Sequence, residues 1–215
     1  MHIITGRFKG TPLTTPRSVT RPTTDRTKEA IFSHLDSWGV LEDARVLDLY
    51  AGTGALGFEA LSRGANDLVL VEANAQAAQL IAQTATLLRR QRAWTSGPEL
   101  SVRVVKARAE RYVARMAANN AKHAEEPTQF DVVLMDPPYA VTTEDCNALL
   151  ADLVQGKVVA EDGLMMLERS TRSELPTPPA GWQISERRDY GETAVFYMEP
   201  ESESAPESAS NSSEE

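Results

Sequence analysis

Cysteine is almost absent from this chain: Cys146 stands alone among 215 residues, which excludes an internal disulfide. The three histidines, His2, His34 and His123, lie far apart, so no metal-ligand spacing is present and no metal is expected. No apolar run approaches the roughly 20 residues that a membrane helix needs. The opening residues mix Thr, Arg, Lys and Pro and lack the apolar stretch of a secretion signal. A cytoplasmic protein, away from membranes, is the natural expectation.

Basic residues are also missing from one end. Glu199 to Glu215 holds six acids and many serines, and such a tail cannot bury enough apolar surface to order itself. It supplies much of the net charge of −9; the rest of the chain carries 22 basic and 25 acidic groups. With 215 residues, 41% of them hydrophobic, the chain can bury one full core and form a single domain. The first 30 residues run the other way. Arg7, Lys9, Arg17, Arg21, Arg26 and Lys28 face only Asp25 and Glu29, a basic arm suited to phosphate backbones, although a solvated charged face would look similar. The expected organisation is a basic RNA-binding extension over 1–40, a core domain over 41–198 and a disordered acidic tail over 199–215.

The most informative stretch is Asp136-Pro137-Pro138-Tyr139, placed directly after the apolar run Val132 to Met135. A Val- and Leu-rich strand delivers it to the carboxyl end of a sheet, where open α/β folds bind ligands. Two prolines stiffen the backbone and remove two N–H donors. The Asp136 carboxylate and the Pro137 carbonyl can then each accept one hydrogen of an exocyclic amine, while Tyr139 offers a ring for a base to stack on. The plain alternative is a proline turn ending a strand.

Upstream, Val46 to Leu49 runs into Tyr50-Ala51-Gly52-Thr53-Gly54-Ala55-Leu56-Gly57, a strand, a glycine turn and a helix pattern. Gly52, Gly54 and Gly57 have the G-x-G-x-x-G spacing that permits a tight turn and close approach to a ligand. Glu72, ending the strand Leu68 to Val71, lies 20 residues past Gly52, where a carboxylate reaches the ribose hydroxyls of a nucleoside. Asp48 then chooses between cofactors. An acid there would repel the pyrophosphate of a dinucleotide but suits a cation, and S-adenosylmethionine carries a sulfonium and an ammonium group. Tyr50, Ala51 and Ala73 complete the expected cofactor wall.

Periodicity gives an alternating series. A small hairpin is expected from His2 to Phe8 and Pro12 to Thr14, then a helix capped by Thr23-Thr24-Asp25 that buries Ile31, Leu35 and Trp38. Strands are expected at Arg45 to Tyr50, Asp67 to Glu72, Leu100 to Val105, Phe130 to Met135 and Gly163 to Glu168. Between them come helices from Asn74 towards Arg92, from Arg108 to Ala118 and from Thr143 to Gln155, with Asn119 to Gln129 as a mobile loop. Trp182 to Asp189 and Thr193 to Met198 close the chain as a hairpin. The fold class implied is α/β: a Rossmann-like, mostly parallel seven-stranded sheet with one antiparallel strand, the shape of class I methyltransferases.

With these motifs in place, the chain resembles the bacterial 16S rRNA (guanine(966)-N(2))-methyltransferase family. The resemblance rests on Ile3 to Gly10, Thr20 to Phe32, Asp48 to Gly57, Val71-Glu72, Asp136 to Tyr139 and Tyr190-Gly191, and covers residues 1 to about 198. It implies S-adenosylmethionine as methyl donor and a guanine N2 as acceptor, with 16S rRNA or an assembling small subunit as partner and a monomer as the working state. It also implies Arg108 and Ala109 beside the adenine. Ala93 to Glu99 and Asn119 to Gln129 look longer than the family pattern. Two rival readings remain at this point: an adenine-N6 methyltransferase on DNA or RNA, and a non-catalytic cofactor-binding RNA assembly protein.

Overall fold

The structure is a computed structural model that describes residues 1–14 and 25–201. Its elements are α1 (Asp25–Trp38), β1 (Arg45–Leu49), α2 (Ala55–Ser62), β2 (Asp67–Glu72), α3 (Ala75–Arg89), α4 (Arg92–Thr95), β3 (Ser101–Lys106), α5 (Ala109–Lys122), β4 (Phe130–Met135), α6 (Thr143–Gln155), β5 (Val159–Ser170), β6 (Trp182–Tyr190) and β7 (Thr193–Pro200). They build one seven-stranded sheet in the order β3-β2-β1-β4-β5-β7-β6. Strands β1 to β5 pair in parallel, and β7 runs antiparallel to both its neighbours. The strand order turns back between β1 and β4, which opens a crevice at their carboxyl ends.

The parallel strands read as continuous apolar runs because both sheet faces are covered. Alternate residues feed two cores. Val46, Leu70, Leu134 and Met166 meet α1, α2 and α3 on one face, and Leu49, Val71, Met135 and Leu167 meet α5 and α6 on the other. Side-chain caps open two of the helices. Asn74 Oδ1 accepts from the Gln76 and Ala77 N–H groups to open α3, and Thr142 and Asp145 form a reciprocal capping box at α6.

Several expectations need correction. The amino-terminal hairpin reduces to one antiparallel bridge, His2 with Pro12, flanked by Ile3 bonding to Thr11 and Gly10, because from Ile4 to Phe8 the backbone turns its donors to α2. Ile4 and Thr5 N–H groups donate to the buried Glu59 carboxylate at 2.8 and 3.1 Å, and Phe8 N–H donates to Ser62 Oγ at 2.9 Å. A Cβ on Gly6 would stand 1.8 Å from the Ser62 carbonyl oxygen, so only glycine allows this docking. Trp38 is 38% exposed, and its ring lies against His34 and Tyr197 at centroid distances of 4.0 and 5.2 Å. The helix after β2 breaks at Arg90, so Arg92–Thr95 forms a separate turn.

The stretch taken as a mobile loop is tied down. Helix α5 continues to Lys122, and buried Asn120 donates to the Thr128, Gly156 and Lys157 carbonyls while accepting from Thr128 N–H at 2.9 Å. One side chain thus satisfies backbone groups of two segments, which a polar composition alone does not disclose. The caps expected at Thr23 and Thr24 and the tail beyond Glu201 lie outside the described residues.

Candidate active site

Strand register fixes the site. Leu49 pairs with Val71 on one side and with Met135 on the other, and Met135 pairs with Leu167. Side chains alternate faces along a strand, so the residues following Val71, Met135 and Leu167, which are Glu72, Asp136 and Glu168, fall on the same face as Asp48. Four carboxylates from four adjacent strands therefore share one side of the sheet. All four line a cavity of about 1320 Å³. That exceeds the volume of roughly 300–1,000 Å³ typical of one small ligand, leaving room for a cofactor and an acceptor base together.

On the β1–β2 side the carboxylates organise the glycine turn. Glu72 accepts from Gly52 N–H at 2.8 Å and from Asn74 N–H at 2.6 Å, holding the turn against the start of α3. Gly52 and Gly54 take φ of 57° and 75°, a conformation glycine adopts without a Cβ penalty. Tyr50 takes φ 61° despite its side chain, and its hydroxyl donates to Glu110 at 3.0 Å. Burial and the neighbouring Glu110 push the Tyr50 phenol up.

Asp48 is 1% exposed and accepts from Gly57 N–H at 2.9 Å. Burial pushes its carboxyl up to about 8, the Gly57 hydrogen bond opposes this, and Asp136 and Glu72 push the same way as burial. A cation entering the cavity would favour the ionised form. This is an observation of fit: the cavity disfavours further negative charge and suits a sulfonium or ammonium group.

Tyr50, Ala51, Gly52, Glu72, Ala73, Arg108, Ala109, Asp136, Pro137 and Tyr139 all line the cavity as expected. Gly54 and Gly57 do not. Gly54 sits behind the turn, where a Cβ would strike the Phe58 ring at 2.6 Å, and a Cβ on Gly57 would meet Asp48 Oδ2 at 2.9 Å. Both positions are closed to a side chain by packing against Phe58 of α2 and against Asp48, Leu68 and Leu70 of the strands. Arg108 is exposed and paired with Glu110 at 3.5 Å, whereas Ala109 is buried.

Tyr139 is 80% exposed at the rim, an open ring available for stacking. The loop that carries it is tethered from β5, because Arg169 donates to the Val141 carbonyl at 2.9 Å. Sequence reasoning missed this wall. Glu168 and Arg169 are buried charges at 7% and 9% exposure, and with Ser170 and Thr193 they line the same cavity. The signal was present in the parity of the strand: Glu168 stands one step beyond an unbroken apolar run, as Asp136 does.

The basic arm divides. Lys28 is 1% exposed, placed 3.4 Å from Glu59 and donating to the His2 carbonyl at 2.8 Å, so it is an internal counter-charge and no phosphate contact. Arg7 is half-buried with its guanidinium packed towards Gly97. Lys9 and Arg26 are exposed, and Arg26 reaches the cavity with Thr27 and Ala30 of α1. Arg17 and Arg21 lie outside the described residues. Among the described residues no group of acids, histidines and cysteine could hold a metal ion, and no helix is long and apolar enough to cross a membrane.

Comparison with known proteins agrees with this geometry. A family model described as Conserved hypothetical protein 95 matches residues 1–199. The chain is 34% identical over 210 residues to Ribosomal RNA small subunit methyltransferase D of Escherichia coli K12, covering 95% of this chain and 93% of that protein. Its Haemophilus influenzae counterpart of the same name is 27% identical, covering 89% of each. Among solved structures, Escherichia coli yhhF superposes with a TM-score of 0.73 at 29% identity, covering 94% of this chain and 98% of that one. Magnesium protoporphyrin IX methyltransferase from Synechocystis shares the fold, with a TM-score of 0.56 at 14% identity over 82% of this chain and 79% of that one. The chain belongs to the Conserved hypothetical protein 95 family, and its fold is that of the class I methyltransferases.

Proposed function

We propose that this protein transfers a methyl group from S-adenosylmethionine to the exocyclic N2 amine of a guanine in 16S rRNA of the small ribosomal subunit, acting in the cytoplasm as a monomer. The observation that carries the reading is the placement of Asp136-Pro137-Pro138-Tyr139 in the same cavity as Asp48, the glycine turn and Glu72. When bound, the cofactor supplies an electrophilic methyl group on sulfonium. Glu72 and the Gly52 turn would hold its ribose, Ala109 and Arg108 would flank its adenine, and Asp48 would complement its positive charge.

The remaining work falls to β4. A guanine amine is a weak nucleophile because its lone pair is delocalised into the ring. Two acceptors, the Asp136 carboxylate and the Pro137 carbonyl, would each take one amine hydrogen, favour a pyramidal nitrogen and aim its lone pair into the cavity. Once the nitrogen is alkylated its proton is lost readily, so Asp136 serves by position and charge rather than as a strong base. Tyr139 stacks on the base, which must leave its helix to enter. Arg26 and Lys9, with Arg17 and Arg21 of the same arm, contact RNA phosphates.

Incubation of the protein with tritiated S-adenosylmethionine and either bare 16S rRNA or partly assembled small subunits tests this directly. The expected product is N2-methylguanosine. Label in N6-methyladenosine would support the adenine reading instead, and binding of cofactor without transfer to either substrate would support a non-catalytic assembly role.

A further inference from the structure

Recognition of an amine alone does not distinguish guanine from adenine, because each base carries one. The two bases differ beside the amine: next to its 2-amine guanine has an N1–H donor, whereas adenine has at N1 a bare acceptor next to its 6-amine. A site that methylates one and rejects the other needs a group that reads this neighbouring position.

Glu168 is the carboxylate next to Asp136 on the cavity wall. Asp136 and Glu168 each follow a register pair, Met135 with Leu167, so they leave adjacent parallel strands side by side, about 4.8 Å apart in backbone. They share a sheet face, and both line the cavity. Glu72 lies on the opposite flank, on β2, with β1 between it and β4. The cofactor end and the acceptor end are thus separated across the sheet, and Glu168 belongs to the acceptor end. Beyond it, Ser170 and Thr193 pair across β5 and β7 and bring hydroxyls to the same wall, donors suited to a base carbonyl.

Resting on the guanine reading above, we infer that Glu168 is the specificity residue for the acceptor base: its carboxylate accepts the guanine N1–H while Asp136 and Pro137 hold the 2-amine. The cavity wall then presents acceptors to two adjacent donors and a hydroxyl to the carbonyl that follows. An adenine offered in the same place would set its N1 lone pair against the Glu168 carboxylate, and the resulting repulsion adds to the lost hydrogen bond. Burial of Glu168 strengthens both effects, since the surrounding dielectric is low.

The test uses small-subunit RNA ligated to carry guanosine or 2-aminopurine at the acceptor position. 2-Aminopurine keeps the 2-amine but has a bare N1 in place of N1–H and no 6-carbonyl, so the part due to N1 is read from the change that Glu168→Gln makes in the preference. Wild-type protein is expected to prefer guanosine in kcat/KM by at least about 10-fold, the discrimination a hydrogen bond to a charged group provides. Glu168→Gln, whose amide can donate to a bare N1, should narrow that preference severalfold while cofactor affinity stays at the wild-type value. Equal transfer by the wild type to both bases would overturn the role of Glu168 and leave guanine methylation standing. An unchanged preference in a Glu168→Gln protein that still binds cofactor would overturn it too. Failure of the wild type to methylate guanosine at all would instead overturn the reaction on which the inference rests.

Discussion

The two flanks of the cavity are built in different ways. On the β1–β2 flank the functional groups come from one stretch, Asp48 to Asn74, and they bind each other: Glu72 holds Gly52 and Asn74, and Asp48 holds Gly57. On the β4–β5 flank they come from Asp136, Glu168, Arg169 and Thr193, brought together by strand pairing, with the Tyr139 loop held by the Arg169 tether to Val141. A flank whose groups satisfy one another in this way suits the proposed cofactor, because it needs little ordering on binding. The other flank keeps an exposed Tyr139 at its rim, which suits the large RNA acceptor proposed above. Preorganisation serves the invariant ligand, and openness the bulky one.

If this division holds, mutations on the two flanks should separate binding from turnover. The largest effect belongs to Asp136→Ala, expected to reduce turnover by about 10²- to 10³-fold, the usual consequence of removing one polar group that acts in a transition state. Its cofactor affinity should stay near wild type, as measured by calorimetric titration. Asp136→Asn keeps one acceptor oxygen and should lose less. Near-normal turnover in both would remove Asp136 from the chemistry.

Next comes the buried pair that anchors the arm. Lys28→Ala leaves Glu59 without one of its two cations and should destabilise the fold by about 3–5 kcal/mol, seen in urea unfolding. Arg26→Ala should leave stability unchanged and instead weaken RNA binding, with a salt slope lower by about 0.7 for a single-stranded contact. Should Lys28→Ala unfold like wild type and lose the RNA slope, the buried lysine would have been assigned to the wrong task.

Glu72→Ala is expected to weaken S-adenosylmethionine binding about 10- to 150-fold, the worth of charged hydrogen bonds. A folded variant that binds as tightly as wild type would take Glu72 out of the site.

The smallest effect is a pH dependence. Asp48 titrates near 8 in the folded protein against 3.8 ordinarily, so between those values the folded state holds a proton that the unfolded chain has lost. Its contribution to stability is full below pH 3.8 and declines as pH rises towards 8. Cofactor affinity should move the opposite way, because a cation prefers ionised Asp48, rising between pH 6 and 8 by up to about tenfold per unit. Asp48→Asn should flatten that rise; an equally steep rise in the variant would remove Asp48 as its source.

Much of this flank was legible in the sequence because its residues are consecutive and their spacing has a geometric meaning. The ranges Asp67–Glu72, Phe130–Met135 and Thr143–Gln155 follow from apolar runs and periodicity alone. Composition misled where partners lie far along the chain. Lys28 sits in a basic run yet is enclosed by Glu59 and His2, and Asn119 to Gln129 is polar throughout yet is held by Asn120 bridging Thr128, Gly156 and Lys157. Gly54 and Gly57 matched the motif for reasons of packing, which spacing alone does not separate from ligand contact. Glu168 went unnoticed because its significance lies in register with β4, a property of pairing rather than of order along the chain.

The most direct test of the account is mass mapping of 16S rRNA from cells that lack this protein, complemented with the wild type or with Asp136→Ala. The account predicts one N2-methylguanosine that is missing in the deletion, restored by the wild type and still missing with Asp136→Ala. A modification pattern that does not change on deletion, or one that Asp136→Ala restores in full, would contradict it.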